Sequence, residues 1–288
     1  MFSRRGVLGL ILATAATRPA PAANAQRALK ALHKRIGGRL GVHVLDSQSG
    51  RRITYGDRAR FAMASTFKLP LAAALLWQVD RGAFPLSRTL QVTREDVIAN
   101  SPAVSAKLAT GATGMSIEEL CAAVVVQSDN AAANVLLKGI GGPQALTQFM
   151  RTIGDEETRL DRMELELNSN LPGDERDTTT PRAMVESMLR IITQDVLTVP
   201  SRAMLIDWMS KSKTGLDRVR AGLPKAWQSA DKTGTGANGA VNDLVLTYPP
   251  GRRPILMAVY MSESTLDTKT LIAAHAEIGK LVGDEKWK

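Results

Sequence analysis

The 288-residue chain holds one cysteine, three histidines and few aromatic residues, which make up 4% of it. A single cysteine excludes an intrachain disulfide. Cys121 sits in Leu120-Cys121-Ala122-Ala123-Val124-Val125-Val126 and reads as buried packing rather than a reactive thiol. His33, His43 and His275 lie far apart, in helix or strand patterns, so no zinc-ligand cluster and no Ser-His-Asp arrangement is expected. No metal and no cofactor is implied. The formal charge is +9, from 37 basic and 28 acidic residues. The cations are scattered and lack interleaved aromatics, which argues for a solvated surface and against a nucleic-acid partner. Long hydrophobic runs are missing too. Gly6–Ala16 is apolar but too short to cross a membrane, so no stable membrane anchor is expected.

That short run has the company of an export signal. Met1-Phe2-Ser3-Arg4-Arg5 is a basic start, and Ala23-Asn24-Ala25 offers a small-residue cleavage site. Residues 1–25 therefore read as a signal peptide, and Ser3-Arg4-Arg5-Gly6-Val7-Leu8 resembles a twin-arginine export signal. A periplasmic or secreted protein is expected after cleavage near Ala25. Removing a leader with three arginines and no acid lowers the formal charge from +9 to +6.

Gln26 to Ile36 carries an apolar stripe and stops at Gly37-Gly38, which predicts a helix. Leu40–Asp46 and Arg52–Tyr55 read as two strands joined by a polar turn. An apolar helix follows Ser65 to about Asp80. Helical signals then dominate: Ile117–Val126, a helix capped by Asp129 and ending at Gly139, one opened by Pro143, Ala183–Thr193 behind Thr180-Pro181, and one from Pro200. Arg159 to Asp177 shows no period; so long an irregular segment is usually functional. Strands return at Gln228–Thr235, Asp243–Tyr248 and Ile255–Met261, and a last helix spans about Asp267–Val282. The pattern predicts an α/β plus α architecture: an antiparallel five-stranded sheet flanked by helices, with an inserted all-helical domain. Residues 26–60 and 213–288 would form the sheet domain, and 61–212 the helical domain with the loop 159–177.

Ser65 and Lys68 are three residues apart at the start of an apolar helix, so both fall on one face about a turn apart. A lysine amine at that distance, with free backbone N–H groups nearby, can activate a serine without histidine. The spacing alone is weak, because Ser210-Lys211-Ser212-Lys213 repeats it and Lys213-Thr214-Gly215 duplicates Lys232-Thr233-Gly234. The second copies sit at a helix end and read as surface punctuation. The loop is ambiguous as well: Glu164 with Asn168, and Glu166 with Asn170, both satisfy Glu-x-x-x-Asn.

Order resolves the choice. Ser65-x-x-Lys68, Ser128-Asp129-Asn130, Arg162-Met163-Glu164-Leu165-Glu166-Leu167-Asn168 and Lys232-Thr233-Gly234-Thr235 follow one another along the chain. In that order the sequence resembles the class A serine β-lactamases over essentially its whole length beyond the leader. The family register, counted back from Arg176-Asp177-Thr178, selects Glu164 and Asn168 and leaves Glu166 solvated or structural.

The resemblance implies hydrolysis of the amide of penicillins and cephalosporins through an acyl-enzyme on Ser65, giving antibiotic resistance. Lys68, or Glu164 through a water, would take the serine proton, and Ser128 would pass one to the departing nitrogen. The oxyanion would lie between the N–H groups of Ser65 and Thr235. Asn130 would bind the substrate's side-chain amide; Lys232, Thr233, Gly234, Thr235 and Arg218 would surround its carboxylate. Glu164 and Asn168 would activate the deacylating water. Asn134 would hydrogen-bond the loop glutamate, and Arg162 and Asp177 would close the loop as an ion pair. A monomer acting on small-molecule β-lactams is expected.

The chain also departs from the family pattern. Leu165 stands where many members have a proline after a cis bond, and Asn100 where an aromatic rim residue is common. Ala64 and Gly236 occupy the places of a disulfide found in some carbapenem-hydrolysing members. Val241 replaces a strand arginine, for which Arg218 is the alternative. A D,D-peptidase is the first rival reading, and an inactive exported cell-wall-binding relative the second; the Glu164/Asn168 pair argues against the first, and the retention of every chemical residue against the second.

Overall fold

A computed structural model describes residues 21–287. The leader expectation for residues 1–20 thus lies outside the described residues. Helix α1 spans Pro21–Ile36, followed by strands β1 (Arg39–Asp46), β2 (Arg52–Tyr55) and the two-residue β3 (Phe61–Ala62). A 3₁₀ turn, Ala64–Phe67, leads into α2 (Lys68–Asp80). Short strands β4 (Thr89–Gln91) and β5 (Gly114–Ser116) bracket α3 (Pro102–Ala109). Then come α4 (Ile117–Ala122), α5 (Asn130–Ile140), α6 (Pro143–Thr152), β6 (Thr178–Thr179), α7 (Pro181–Thr193), α8 (Val199–Ser210) and α9 (Val219–Gly222). Strands β7 (Gln228–Thr235), β8 (Val241–Tyr248) and β9 (Ile255–Ser262) precede α10 (Thr268–Gly283).

Five strands form one sheet in the order β2-β1-β9-β8-β7, with every pair antiparallel. Both chain ends supply it: β1 runs beside β9 from Arg39↔Ser262 to Asp46↔Ile255. Strands β8 and β9 are buried almost throughout, and β9 is apolar almost throughout, because both faces of the sheet are covered. Alternation along each strand divides them between two cores. Val241, Val245, Met257 and Val259 face α1 and α10, where they meet Leu29, Leu32, Leu271 and Ile278. Leu244, Leu246, Leu256 and Tyr260 face the helical body. At the centre of that body lies α2, apolar on all sides and buried from Lys68 to Leu76, as a core helix should be.

Several expected boundaries move. Helix α1 begins at Pro21 rather than Gln26, and the Ala25 side chain is buried against the sheet. The Asp129-capped helix runs past Gly139 to a left-handed stop at Gly141. The Val-rich run after Ile117 is α-helical only to Ala122 and then widens into a π turn over Ala123–Gln127. Strand β8 starts at Val241, before Asp243, and α8 starts at Val199 with Thr198 as its cap. The β4–β5 pair, the β3–β6 pair and α3 have no counterpart among the expected elements. No described helix is long and apolar enough to cross a membrane.

Candidate active site

Strand β7 is an edge strand. One side bonds β8, and the other leaves its backbone free toward a cleft of about 600 Å³ that also reaches Ser65, Ser128, Asn130 and Asn168. The glycine of Lys232-Thr233-Gly234 is required by this packing. A Cβ on Gly234 would stand 2.8 Å from the Met63 carbonyl and 3.1 Å from the Ser65 nitrogen. Asn242 clamps the same turn from β8, its Nδ2 donating to the carbonyls of Ala62 (2.9 Å) and Met63 (3.1 Å). Thr66 Oγ1 donates to the Met63 carbonyl at 2.7 Å and meets Tyr260 Oη at 3.1 Å. Ser65 is the one partly open residue among buried neighbours, so its hydroxyl faces the cleft from a rigid turn.

Lys68 begins α2 one turn later and is wholly buried. Its Nζ is 3.1 Å from Ser65 Oγ, 2.8 Å from the Ser128 carbonyl and 2.9 Å from Glu164 Oε1, and it also donates to Asn130 Oδ1. Burial pushes the Lys68 pKa below the ordinary lysine value, and the Glu164 carboxylate opposes that shift.

Ser128 reaches this lysine because the π turn ends in a left-handed residue: Ser128 itself has φ of 58°. The next residue holds the bend. Asp129 Oδ1 accepts from Ala132 N at the start of α5, while Oδ2 accepts from Ala103 N and Val104 N at the start of α3. One carboxylate thus caps two helices on one side of the cleft. Asn130 Nδ2 donates to the Ala99 carbonyl, and Asn100 Nδ2 to the Ser128 carbonyl, both close to 2.9 Å.

The segment 159–177 is irregular apart from a 3₁₀ turn at Glu166–Asn168. Asp177, fully buried, accepts from Arg162 Nε at 2.5 Å and from the backbone N–H groups of Asp161 and Arg162. Asn134 on α5 bonds both backbone groups of Glu164, each at 2.9 Å, rather than its carboxylate. The Glu164–Leu165 peptide bond is cis. Glu164 points inward to Lys68, and its Oε2 accepts from Asn168 Nδ2 at 2.5 Å. Asn168 Oδ1 is buried beside them without a protein partner among the described residues. Glu166 is exposed, as the family register requires.

At the far end of the cleft, Lys232 Nζ donates to Ser128 Oγ at 3.0 Å and to the Thr233 carbonyl at 2.8 Å. Burial, and then the charge of Lys68, push its pKa well below the lysine range. Arg218 lies behind Thr235. Its Nη1 donates to the carbonyls of Gly234 (3.0 Å) and Asn242 (2.6 Å), and its Nη2 to Thr235 Oγ1 (2.7 Å).

The duplicated segment corrects an expectation. Thr214 is not surface punctuation: it lines the cleft and accepts a 2.6 Å bond from Thr233 Oγ1. Ser212 is buried, whereas Ser210, Lys211 and Lys213 are exposed as expected. A second feature escaped the motifs. Asn170 Nδ2 donates to the carbonyls of Ala237 and Asn238, and Asn238 Nδ2 to those of Ser169 and Asn170. This reciprocal clasp ties the loop to the β7–β8 turn. Its only sequence signal is two asparagines in turn-rich stretches, both with positive φ.

The fold is that of the class A β-lactamases. An ancestral (GNCA) class A β-lactamase superposes with a TM-score of 0.87 at 50% identity, covering 90% of this chain and 98% of the other. A β-lactamase from Xanthomonas campestris pv. campestris gives 0.89 at 39% identity, over 92% and 98%. In sequence, the carbapenem-hydrolyzing β-lactamase KPC of Klebsiella oxytoca is 44% identical over 251 residues, 86% of this chain and 85% of that one. The profile of the Beta-lactamase enzyme family matches residues 24–285, and the chain belongs to that family.

Proposed function

We propose that the protein hydrolyses the β-lactam amide of penicillins and cephalosporins through an acyl-enzyme on Ser65, and so confers resistance to them. The observation that carries this reading is the convergence on one buried amine: Lys68 Nζ lies within 3.1 Å of both Ser65 Oγ and the Glu164 carboxylate. Such contacts give the serine proton a short path to Lys68, or to Glu164 across a water. The attacked carbonyl oxygen would accumulate charge between the N–H groups of Ser65 and Thr235. Losing one such donor typically costs about 3–4 kcal/mol of transition-state stabilisation.

Ser128 Oγ, held between the two buried lysines, passes a proton to the ring nitrogen as the amide breaks. Lys232, Thr233, Thr235 and Arg218 take the substrate carboxylate, and the free side of the Asn130 amide takes the side-chain amide. Glu164 and Asn168 then activate the water that releases the acyl group, with the Arg162–Asp177 pair and Asn134 keeping the loop in place. Export through a twin-arginine-type leader, cleavage near Ala25 and a monomeric state complete the proposal, with 61–212 acting as the helical domain against a sheet domain of 26–60 and 213–288.

The test is to mix purified residues 26–288 with a penicillin and follow ring opening and intact mass. Rapid turnover that Ser65→Ala reduces to background is expected. A wild-type protein that stays acylated would instead favour a D,D-peptidase.

A further inference from the structure

The chemistry above leaves over three buried polar atoms where α9 and α10 close on β8. Arg218 Nε, His275 Nε2 and Asp243 Oδ1 have no hydrogen-bond partner among the described residues. Buried groups of this kind are usually satisfied, and three together ask for an explanation. The two helices meet backbone to backbone. A Cβ on Gly222 would fall 1.8 Å from the Ala276 carbonyl, and one on Gly279 would fall 2.1 Å from that of Val219. His275 immediately precedes Ala276, and Arg218 immediately precedes Val219. Asp243 Oδ2 accepts from Val219 N at 3.2 Å, which brings the carboxylate to the same junction.

The tautomer of His275 follows from its one partner. Nδ1 lies 2.9 Å from the Leu271 carbonyl, which can only accept, so Nδ1 carries the hydrogen and Nε2 presents a bare lone pair. Burial, and after it the charge of Arg218, hold the imidazole pKa down to about 3, so the ring is neutral. A neutral acceptor and the unmatched Nε–H of an arginine therefore share one buried junction. An aliphatic side chain would suit the neighbouring Leu271, Ala274 and Ile278 better than a ring with an unpaired nitrogen.

We propose that His275 is a positioning residue for Arg218: its Nε2 lone pair takes the Arg218 Nε–H across one buried water and fixes the guanidinium plane behind Thr235. The guanidinium is a rigid fork. With Nη1 on the Gly234 and Asn242 carbonyls and Nε held to His275 through that water, the remaining freedom is lost, and Nη2 is aimed at Thr235 Oγ1 and the carboxylate of a bound lactam. His275 thereby sets selectivity for carboxylated substrates without touching them. The inference rests on the reading of the cleft given under the proposed function.

The experiment compares kcat/KM for a penicillin with that for its methyl ester. His275→Leu should lower the value for the free acid roughly tenfold, the size of one hydrogen bond to a charged group, mainly through KM. The ester should be nearly unaffected, so the acid-to-ester ratio falls. His275→Gln, which returns an acceptor at similar reach, should recover most of it, and His275→Leu should add nothing in an Arg218→Ala background. An unchanged ratio, an equal loss for acid and ester, or additivity with Arg218→Ala overturns the proposal. The wild-type protein supplies an arm that needs no variant to fold: ring ¹⁵N shifts must report the Nδ1–H tautomer, and the Nε2–H form overturns it. Failure of wild-type protein to open the lactam would refute the functional reading instead, leaving the tautomer measurement standing.

Discussion

Lys68 Nζ stands 2.9 Å from Glu164 Oε1, and both side chains are completely closed to solvent. An amine and a carboxylate taken out of water together depend on each other, since removing one leaves an uncompensated buried charge. In the proposed reaction that dependence would link the two halves: the amine beside Ser65 would serve acylation, and the carboxylate beside Asn168 deacylation.

Glu164→Gln should therefore separate the steps. The amide keeps the shape and the contact with Asn168 but cannot take a proton from water, so penicillin should leave the protein acylated in intact-mass spectra. Glu166→Gln changes an exposed side chain and should turn over like wild type. Accumulation in Glu166→Gln instead would mean that the loop register is Glu166 with Asn170.

A pH dependence follows from the buried lysines. Lys232 has its pKa pushed well below 10.5 by burial and by Lys68. A lowered pKa means that the charge is lost at lower pH than in a free lysine. KM for a carboxylated penicillin should consequently rise with pH before the ordinary lysine range is reached, while the methyl ester shows a weaker rise. Parallel profiles for acid and ester would contradict a carboxylate role for Lys232.

Gly234→Ala probes the closeness of the edge strand to the serine turn. The added methyl would meet the Met63 carbonyl at 2.8 Å and the Ser65 and Thr66 nitrogens at 3.1 Å, all backbone atoms that cannot turn aside. Strand β7 must then back away from Ser65, and a displacement of that order costs about 10²-fold in rate. A kcat/KM loss of this size with intact far-ultraviolet circular dichroism is expected. Wild-type kcat/KM would show that the two backbones are free to separate without effect.

The sequence disclosed what depends on local pattern and on order. The five strands, the caps at Asp129 and Thr180, and the ordered motifs all have signals within a few residues of themselves. It did not disclose features made by tertiary approach. The run before Ser128 reads as uninterrupted helix, and only contact with Lys68 gives the π turn and the left-handed serine a purpose. Thr214 looks like the end of a surface helix until Thr233 reaches it across 19 residues. Asn170 and Asn238 are 68 positions apart and carry no pattern that pairs them. His275 reads as one more residue on an amphipathic face, far from every motif, because nothing in α10 itself records that Arg218 lies behind it.

That burial of His275 makes stability acid-sensitive in a calculable direction. In the unfolded chain the ring takes a proton near 6.5, whereas in the folded protein it does so only at about 3. Between those values the unfolded state binds a proton that the folded state refuses, so unfolding becomes easier as pH falls. The slope for one such group is about 1.4 kcal/mol per pH unit, present only inside that window. His43, whose pKa burial also lowers from 6.5, adds in the same sense, with Asp57 at 2.8 Å working against it. Urea midpoints of wild type and His275→Leu, measured at pH 7, 5.5 and 4.5, isolate the His275 part because His43 and the carboxylates are common to both proteins. The variant should gain on wild type at each step downward, whichever is the more stable at pH 7. Two curves that stay parallel would mean that the folded protein accepts the proton near the ordinary histidine value, and that the ring is not neutral beside Arg218.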